Sequence, residues 1–257
     1  MYLDVKVIHD LFYFIHYSSP PNNPTPAPNK GLKPKAEPKT APPAAVVSGF
    51  ALVLTPPDVT GNPDAIGETK NLNYFVPYHE QSLSMCVDGY SRINGFGIGC
   101  VTSGPGATNT VTGILTSRMD SVPMIVLTGQ TTTPNLGKDA FQEADVFGIT
   151  APIVKHSYLV KDPSTIAQIV EESFKICNTG RPGPVVIDLP KDITSANAQL
   201  PEKEVKLDLP GFVTKSEINL SDVKHLAKTI KGAKKPLIVV GQGVIISRAG
   251  EEIIKLA

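Results

Sequence analysis

Between Tyr74 and Leu189 the chain alternates short, wholly apolar runs with stretches of helical periodicity, and few folds accommodate that alternation. Tyr74 to Val76, Ile98 to Thr102, Met124 to Thr128 and Pro184 to Leu189 read as strands. They lack the apolar-polar alternation of a half-exposed strand, so both of their faces need covering. Between them, Leu83, Cys86, Val87 and Tyr90 recur at helical spacing until Gly95 stops the pattern. Val111, Ile114 and Leu115 form a second stripe. Ile166, Ile169, Val170, Phe174 and Cys177 form a third, which Gly180 can end in a left-handed conformation. The expected class is α/β, a parallel sheet flanked by helices.

The bulk numbers narrow the partners. Lysine plus arginine balances aspartate plus glutamate at 24 each, so net charge draws the chain to neither nucleic acid nor an anionic membrane. Small molecules and other protein chains remain. The apolar start, Leu3 to Tyr17, is interrupted by Asp4, Lys6, His9 and Asp10 and is shorter than the roughly 20 residues that span a bilayer. It matches neither a secretory signal nor a mitochondrial presequence, which leaves the cytosol as the default compartment. Cys86, Cys100 and Cys177 show no paired spacing and read as reduced core residues. No set of His, Cys and carboxylates has the spacing of metal ligands.

Composition divides the chain into four parts. Residues 1–70 read as a tail, dense in proline from Pro20 to Pro43 and unable to bury enough apolar surface to offset ordering. Residues 71–195 hold the first folded unit, and 196–220 a polar linker. Residues 221–257 begin a second α/β unit, in which Ser221 can cap a helix with the stripe Val223, Leu226, Ala227 and Ile230. Pro236 to Val240 then reads as a buried strand leading into Gly241-Gln242-Gly243, a minimal dinucleotide-type turn.

Several residues carry chemical potential. Glu80 falls in the first turn of a helix, where the helix dipole alone favours a carboxylate. It also follows an apolar strand directly, so it points from a strand's carboxyl end, where ligands of open α/β sheets bind. A carboxyl group desolvated there has a raised pKa and can exchange a proton with a ring nitrogen near neutral pH. Ser103-Gly104-Pro105-Gly106 makes a tight turn that permits close backbone approach, and Ala107-Thr108-Asn109 adds donors in the following helix's first turn. Asp139 to Glu143 sets an aromatic among polar residues in a long loop, where Phe141 either lines a site or pins the loop to the core. Lys191 follows the strand Pro184 to Leu189 and is placed to meet an anion or merely solvent. His156 reads as structural.

In combination these segments resemble the thiamine-diphosphate-dependent enzymes of the acetolactate synthase family, large catalytic subunit. His79-Glu80-Gln81, Asp88-Gly89-Tyr90, Thr102 to Asn109, Asp120-Ser121-Val122-Pro123, Thr128-Gly129-Gln130, Asp139 to Glu143, Lys155-His156, Gly180 to Pro184 and Leu189-Pro190-Lys191 stand in the family's order. The resemblance implies a pyrimidine-binding domain followed by the start of a middle domain. It implies condensation of pyruvate with a second 2-oxo acid, giving acetolactate or acetohydroxybutyrate, in isoleucine and valine biosynthesis. Glu80 would hydrogen-bond N1′ of the aminopyrimidine as the catalytic residue, and Thr102, Pro105, Gly106 and Asn109 would line the pyrimidine site. Phe141, Gln142 and Lys191 would face substrate. Arg181 with Gly241, Gln242 and Gly243 would contact FAD, if flavin is retained, and Mg2+ would be held by ligands outside this chain.

The chain departs from the family where a first strand, a helix and a glycine-proline loop belong: Pro56 to Lys70 and the tail before it show none of them. Ser82, Leu83 and Ser84 replace smaller residues, and Lys138 stands where threonine is common. The expectation is therefore a fragment supplying the pyrimidine half of a site, in a homo-oligomer or paired with a complete catalytic subunit. A non-catalytic interaction module and a related 2-oxo acid decarboxylase or oxidase are the alternatives.

Overall fold

The computed structural model describes residues 51–54, 73–196 and 218–257. The proline-rich stretch Pro20 to Pro43 and most of the expected linker lie outside them. The chain divides into two units between Asp208 and Leu209.

Among the described residues the first unit holds six strands: β1 (Ala51–Leu54), β2 (Asn73–Phe75), β3 (Gly97–Val101), β4 (Met124–Gln130), β5 (His156–Leu159) and β6 (Val185–Pro190). They form one sheet in the order β2-β1-β3-β4-β6-β5, and every neighbouring pair is parallel. Three sequence-read strands, β3, β4 and β6, thus occupy the centre within a residue or two of their expected bounds. Two others were not expected. β1 falls inside the stretch read as tail, and it pairs with β3 through Leu52↔Ile98, Val53↔Gly99 and Leu54↔Cys100. The domain therefore does possess a strand ahead of β2, contrary to the expected loss of the first strand. Four apolar residues are too few to show a period, so non-local pairing sets their state. β5 is an edge strand of mixed polarity, His-Ser-Tyr-Leu, which hides it from a search for apolar runs.

Right-handed crossovers decide which face each helix covers. Helices α1 (Glu80–Asn94), α2 (Pro105–Asn109), α3 (Val111–Asp120) and α4 (Val146–Thr150) lie on connections that run toward the β5 edge. Helix α5 (Ile166–Asn178) lies on the one that runs back from β5 to β6, so it covers the opposite face. The core follows this split. Leu83 and Val87 of α1 and Ile114 of α3 cluster with Met124, Val126 and Val186. Ile125, Val185 and Ile187, each one residue out of step, are buried on the other side with Ile176 and Cys177 of α5. Phe96 and Phe174 meet edge to face there, ring centroids 5.0 Å apart.

The buried stripe of α1 is Leu83, Ser84, Val87, Asp88 and Ser91. Cys86 is exposed, which corrects its reading as a core residue: the inward face is partly polar, and hydropathy assigned the neighbouring cysteine to it. Asp88 is satisfied there by Ser117 Oγ at 2.7 Å and Arg92 Nε at 2.7 Å, and Arg92 reaches on to Asp120 at 2.7 Å. His156 stacks edge to face on Tyr158, as a structural histidine does.

The second unit holds α7 (Leu220–Gly232), α8 (Gln242–Ile246) and α9 (Gly250–Leu256), numbered after the short α6 (Lys191–Thr194). Asn219 rather than Ser221 caps α7, its side chain accepting from the Ser221 N–H at 3.0 Å. Residues 236–240 form no strand and are exposed. A parallel strand exists only through a neighbour's hydrogen bonds, and among the described residues none pairs with this run.

Leu83 is fully buried beneath β3, so Leu83→Ala leaves a cavity at the join of helix and sheet. The expected loss is about 2–5 kcal/mol of unfolding free energy, read from the urea midpoint by circular dichroism.

Candidate active site

Because every strand is parallel, the carboxyl ends of the sheet gather at one edge. His79, in extended conformation after β2, caps α1 by accepting the Gln81 N–H on Nδ1 at 3.1 Å. That cap makes Glu80 the first residue of the helix. From β3 the chain turns sharply through Gly104, whose φ of 56° is left-handed, and Pro105 opens α2. Asn109, at the end of α2, donates its Nδ2 to Glu80 Oε2 at 3.0 Å. The other oxygen, Oε1, looks toward Gly106, where an added Cβ would stand 3.8 Å from it and 2.6 Å from Thr102 Cγ2. Glu80, Thr102, Gly106 and Asn109 therefore share one cradle. Pro105 is exposed at its rim.

The loop after β4 comes down on this turn. A Cβ on Gly104 would meet the Gln142 carbonyl oxygen at 2.6 Å, so the two backbones touch where only glycine fits. Asp139 and Gln142 are themselves left-handed, at φ 54° and 55°. The Glu143 carboxylate holds the tip by accepting the Ala140 N–H at 2.8 Å and the Gly137 N–H, and these backbone bonds lower its pKa. Farther back, Asp192 accepts the Thr133 N–H at 2.9 Å and the Thr133 hydroxyl at 2.5 Å. Phe141 is 89% exposed on this frame, so it does not pin the loop to the core. Lys191 opens α6 after β6 at the same edge of the sheet and is exposed.

Arg181 lies elsewhere. It precedes β6, at the amino ends of the strands, and its guanidinium donates to Ser121 Oγ at 2.8 Å and to the Met119 carbonyl at 2.9 Å, closing the carboxyl end of α3. Gly241 precedes α8 in the second unit, with Gln242 and Gly243 as that five-residue helix's first two residues.

A buried polar group behind the loop was not singled out from sequence. Asp188 of β6 is 1% exposed and accepts from Thr128 Oγ1 at 2.7 Å and Gln130 Nε2 at 2.9 Å. Its signal was available: an aspartate interrupting the run Val185-Val186-Ile187 opposite Thr128. Burial pushes its carboxyl up to about 6, against the donated bonds of Thr128 and Gln130, which lower it.

Residues 53–149 match the family described as thiamine pyrophosphate enzyme, N-terminal TPP binding domain. The chain is 45% identical over 190 residues to a probable acetolactate synthase large subunit of Methanocaldococcus jannaschii, covering 73% of this chain and 32% of that one. It is 42% identical over 197 residues to the acetolactate synthase large subunit of Haemophilus influenzae, covering 76% and 34%. The chain thus spans about a third of the length of the curated relatives it matches. Among solved structures, a thiamine diphosphate-dependent 4-hydroxybenzoylformate decarboxylase of Rhodococcus jostii superposes with a TM-score of 0.68 at 22% identity, over 82% of this chain and 40% of that one, a likeness of fold.

Two outcomes follow from the geometry. Gly104→Ala should displace the 139–143 loop and increase its proteolytic cleavage by about tenfold or more, because left-handed strain and a backbone clash coincide there. Asp188 has a folded pKa of about 6 against an ordinary 3.8, so its contribution to stability is fullest below pH 4 and is lost as the pH rises through 6. Up to about 3 kcal/mol is at stake. Urea unfolding at pH 4.5 and 7 should show that decline in the native chain, and Asp188→Asn should flatten it.

Proposed function

We propose, from the premise that the chain belongs to the thiamine pyrophosphate enzyme family, that it supplies the pyrimidine-binding half of an acetolactate synthase site. The contact that carries the reading is Asn109 Nδ2 on Glu80 Oε2, with Oε1 left facing the bare Cα of Gly106. One carboxylate oxygen is fixed by Asn109 and the other looks toward a residue without a side chain, an arrangement suited to holding or moving a proton at a ring nitrogen. Thr102, Pro105, Gly106 and Asn109 would bound the flat ring, and the close approach of Gly104 to Gln142 would bring the Phe141 loop against it. When bound, thiamine diphosphate supplies the electron sink for breaking and making bonds at the carbonyl carbon of a 2-oxo acid.

The substrate side is held by Phe141, Gln142 and Lys191. An exposed aromatic on a clamped loop excludes water from an apolar 2-oxo acid side chain, and a lysine at the same sheet edge attracts its carboxylate. Among the described residues no group of three or more His, Cys, Asp and Glu is arranged for a metal ion. The Arg181 guanidinium is bonded at the opposite edge of the sheet, to Ser121 Oγ and the Met119 carbonyl. Another polypeptide, or the rest of a longer chain, would complete the site. Also among the described residues, no helix is long and apolar enough to cross a membrane.

The test joins this chain to the remaining domains of an acetolactate synthase large subunit and measures acetolactate formed from pyruvate. Glu80→Gln should lower kcat by about 100-fold or more. An unchanged rate overturns the assignment. Calorimetry of the chain alone with thiamine diphosphate and Mg2+ complements it: tight binding would count against a purely non-catalytic partner.

A further inference from the structure

A buried carboxylate is costly unless every lone pair it turns inward is met by a donor. The partners that Asp188 does bond, Thr128 and Gln130, are both neutral, and the acidic Asp145 beside it raises its pKa further. An apolar residue would continue the strand pattern of β6 at no such cost. The geometry shows what the carboxylate does there.

Gln130, the last residue of β4, is 3% exposed and has its side-chain amide fully occupied. One Nε2 hydrogen goes to Asp188 Oδ2 at 2.9 Å and the other to the Ala144 carbonyl at 2.8 Å, while Oε1 accepts the Thr131 N–H at 2.8 Å. Turning the amide over would set its oxygen against a carboxylate and a carbonyl, so Asp188, together with the Ala144 carbonyl and the Thr131 N–H, selects one orientation. In that orientation Gln130 ties down the residue that ends the 139–143 loop. Ala144 also accepts the Val146 N–H at 2.8 Å, at the entry to α4. The near end of the same loop is held by Asp192 through Thr133. Two carboxylates from β6 and the helix after it therefore hold both ends of a loop that leaves β4.

We propose that Asp188 is a positioning residue: through Gln130 it holds Ala144, and thereby sets Phe141 and Gln142 against the Gly104 turn. The proposal rests on the reading of that loop as the substrate side of the site, and it adds a residue that touches neither substrate nor cofactor.

Amide hydrogen exchange on the 257-residue chain tests it, with peptides covering 136–145 and 183–190. Gln130→Met keeps the length of the side chain and removes both donors. It should speed exchange in 136–145 by about tenfold, the effect of the one hydrogen bond lost to the loop, and by clearly more than in 183–190. Asp188→Asn keeps an acceptor for Gln130, and its amide can donate to Thr128 Oγ1, so loop protection should be retained within about threefold. Asp188→Leu removes the acceptor and should speed exchange in 136–145 by about threefold or more, no change there overturning the proposal. Thr128→Val leaves the Gln130 link intact and should not loosen the loop. Unchanged loop exchange in Gln130→Met, equal acceleration in both peptides, or loosening by Thr128→Val equal to that by Gln130→Met would overturn the proposal. Should Gln130→Met not fold, the native chain decides by NMR. The two Gln130 side-chain amide protons should exchange at least about 100-fold more slowly than those of a solvent-exposed glutamine, and fast exchange overturns the tether. Neither readout involves the cofactor, so a failure here is distinguishable from a failure of the Glu80→Gln test.

Discussion

The structure depends on how closely α1 approaches its neighbours, and three missing side chains permit it. A Cβ on Gly99 would stand 2.7 Å from Leu83 Cδ2, one on Gly97 2.8 Å from Ser91 Oγ, and one on Gly113 2.2 Å from Ser84 Oγ. The helix thus presses on β3 along one side and on α3 along the other. Glycine inside a strand or helix costs backbone entropy, and here the packing of Leu83 and Val87 offsets it. Glu80 is the first residue of that helix. Its place against Asn109 is inherited from contacts made along the rest of α1, one to three turns away.

The parallel sheet then sorts the residues by role. Chains leaving β2, β3, β4 and β6 deliver Glu80, the Gly104 turn, the Phe141 loop and Lys191 to the carboxyl edge. The amino edge and its flanks hold groups that finish helices. Arg181 caps α3, and the Lys155 ammonium donates to the Thr179 carbonyl at 2.6 Å and to that of Ile176 at the end of α5. Both are cations at helix carboxyl ends, where the dipole favours them. The motif order in the sequence mixes the two groups, and only the direction of the strands separates them.

This explains what could be read from sequence and what could not. β3, β4 and β6 were legible because a strand buried on both faces is apolar throughout, and Gly95 marks a real left-handed stop, whereas α5 ends at an extended Thr179 with the left-handed Gly180 one residue beyond. Glu80 at a helix start and the turn at Gly104 followed from local chemistry. β1 and β5 were not legible, since one is too short for a pattern and the other is a polar edge strand whose state comes from β6. The opposite error occurred at residues 236–240, where apolar composition suggested a strand that no neighbour among the described residues pairs. Asp188 escaped notice because its meaning lies in Thr128 and Gln130, about sixty residues away in sequence and adjacent only through the register of β4 and β6.

The loop that presents Phe141 holds two non-glycine residues, Asp139 and Gln142, in a region of backbone space that side chains disfavour. Such conformers persist only where surrounding bonds over-determine them, as Glu143, Gln130 and Asp192 do here. The entropy of ordering the loop is therefore lost when the chain folds, before any ligand arrives. A ligand bound at this edge as proposed would meet a loop already ordered, with that share of the ordering cost borne by the fold.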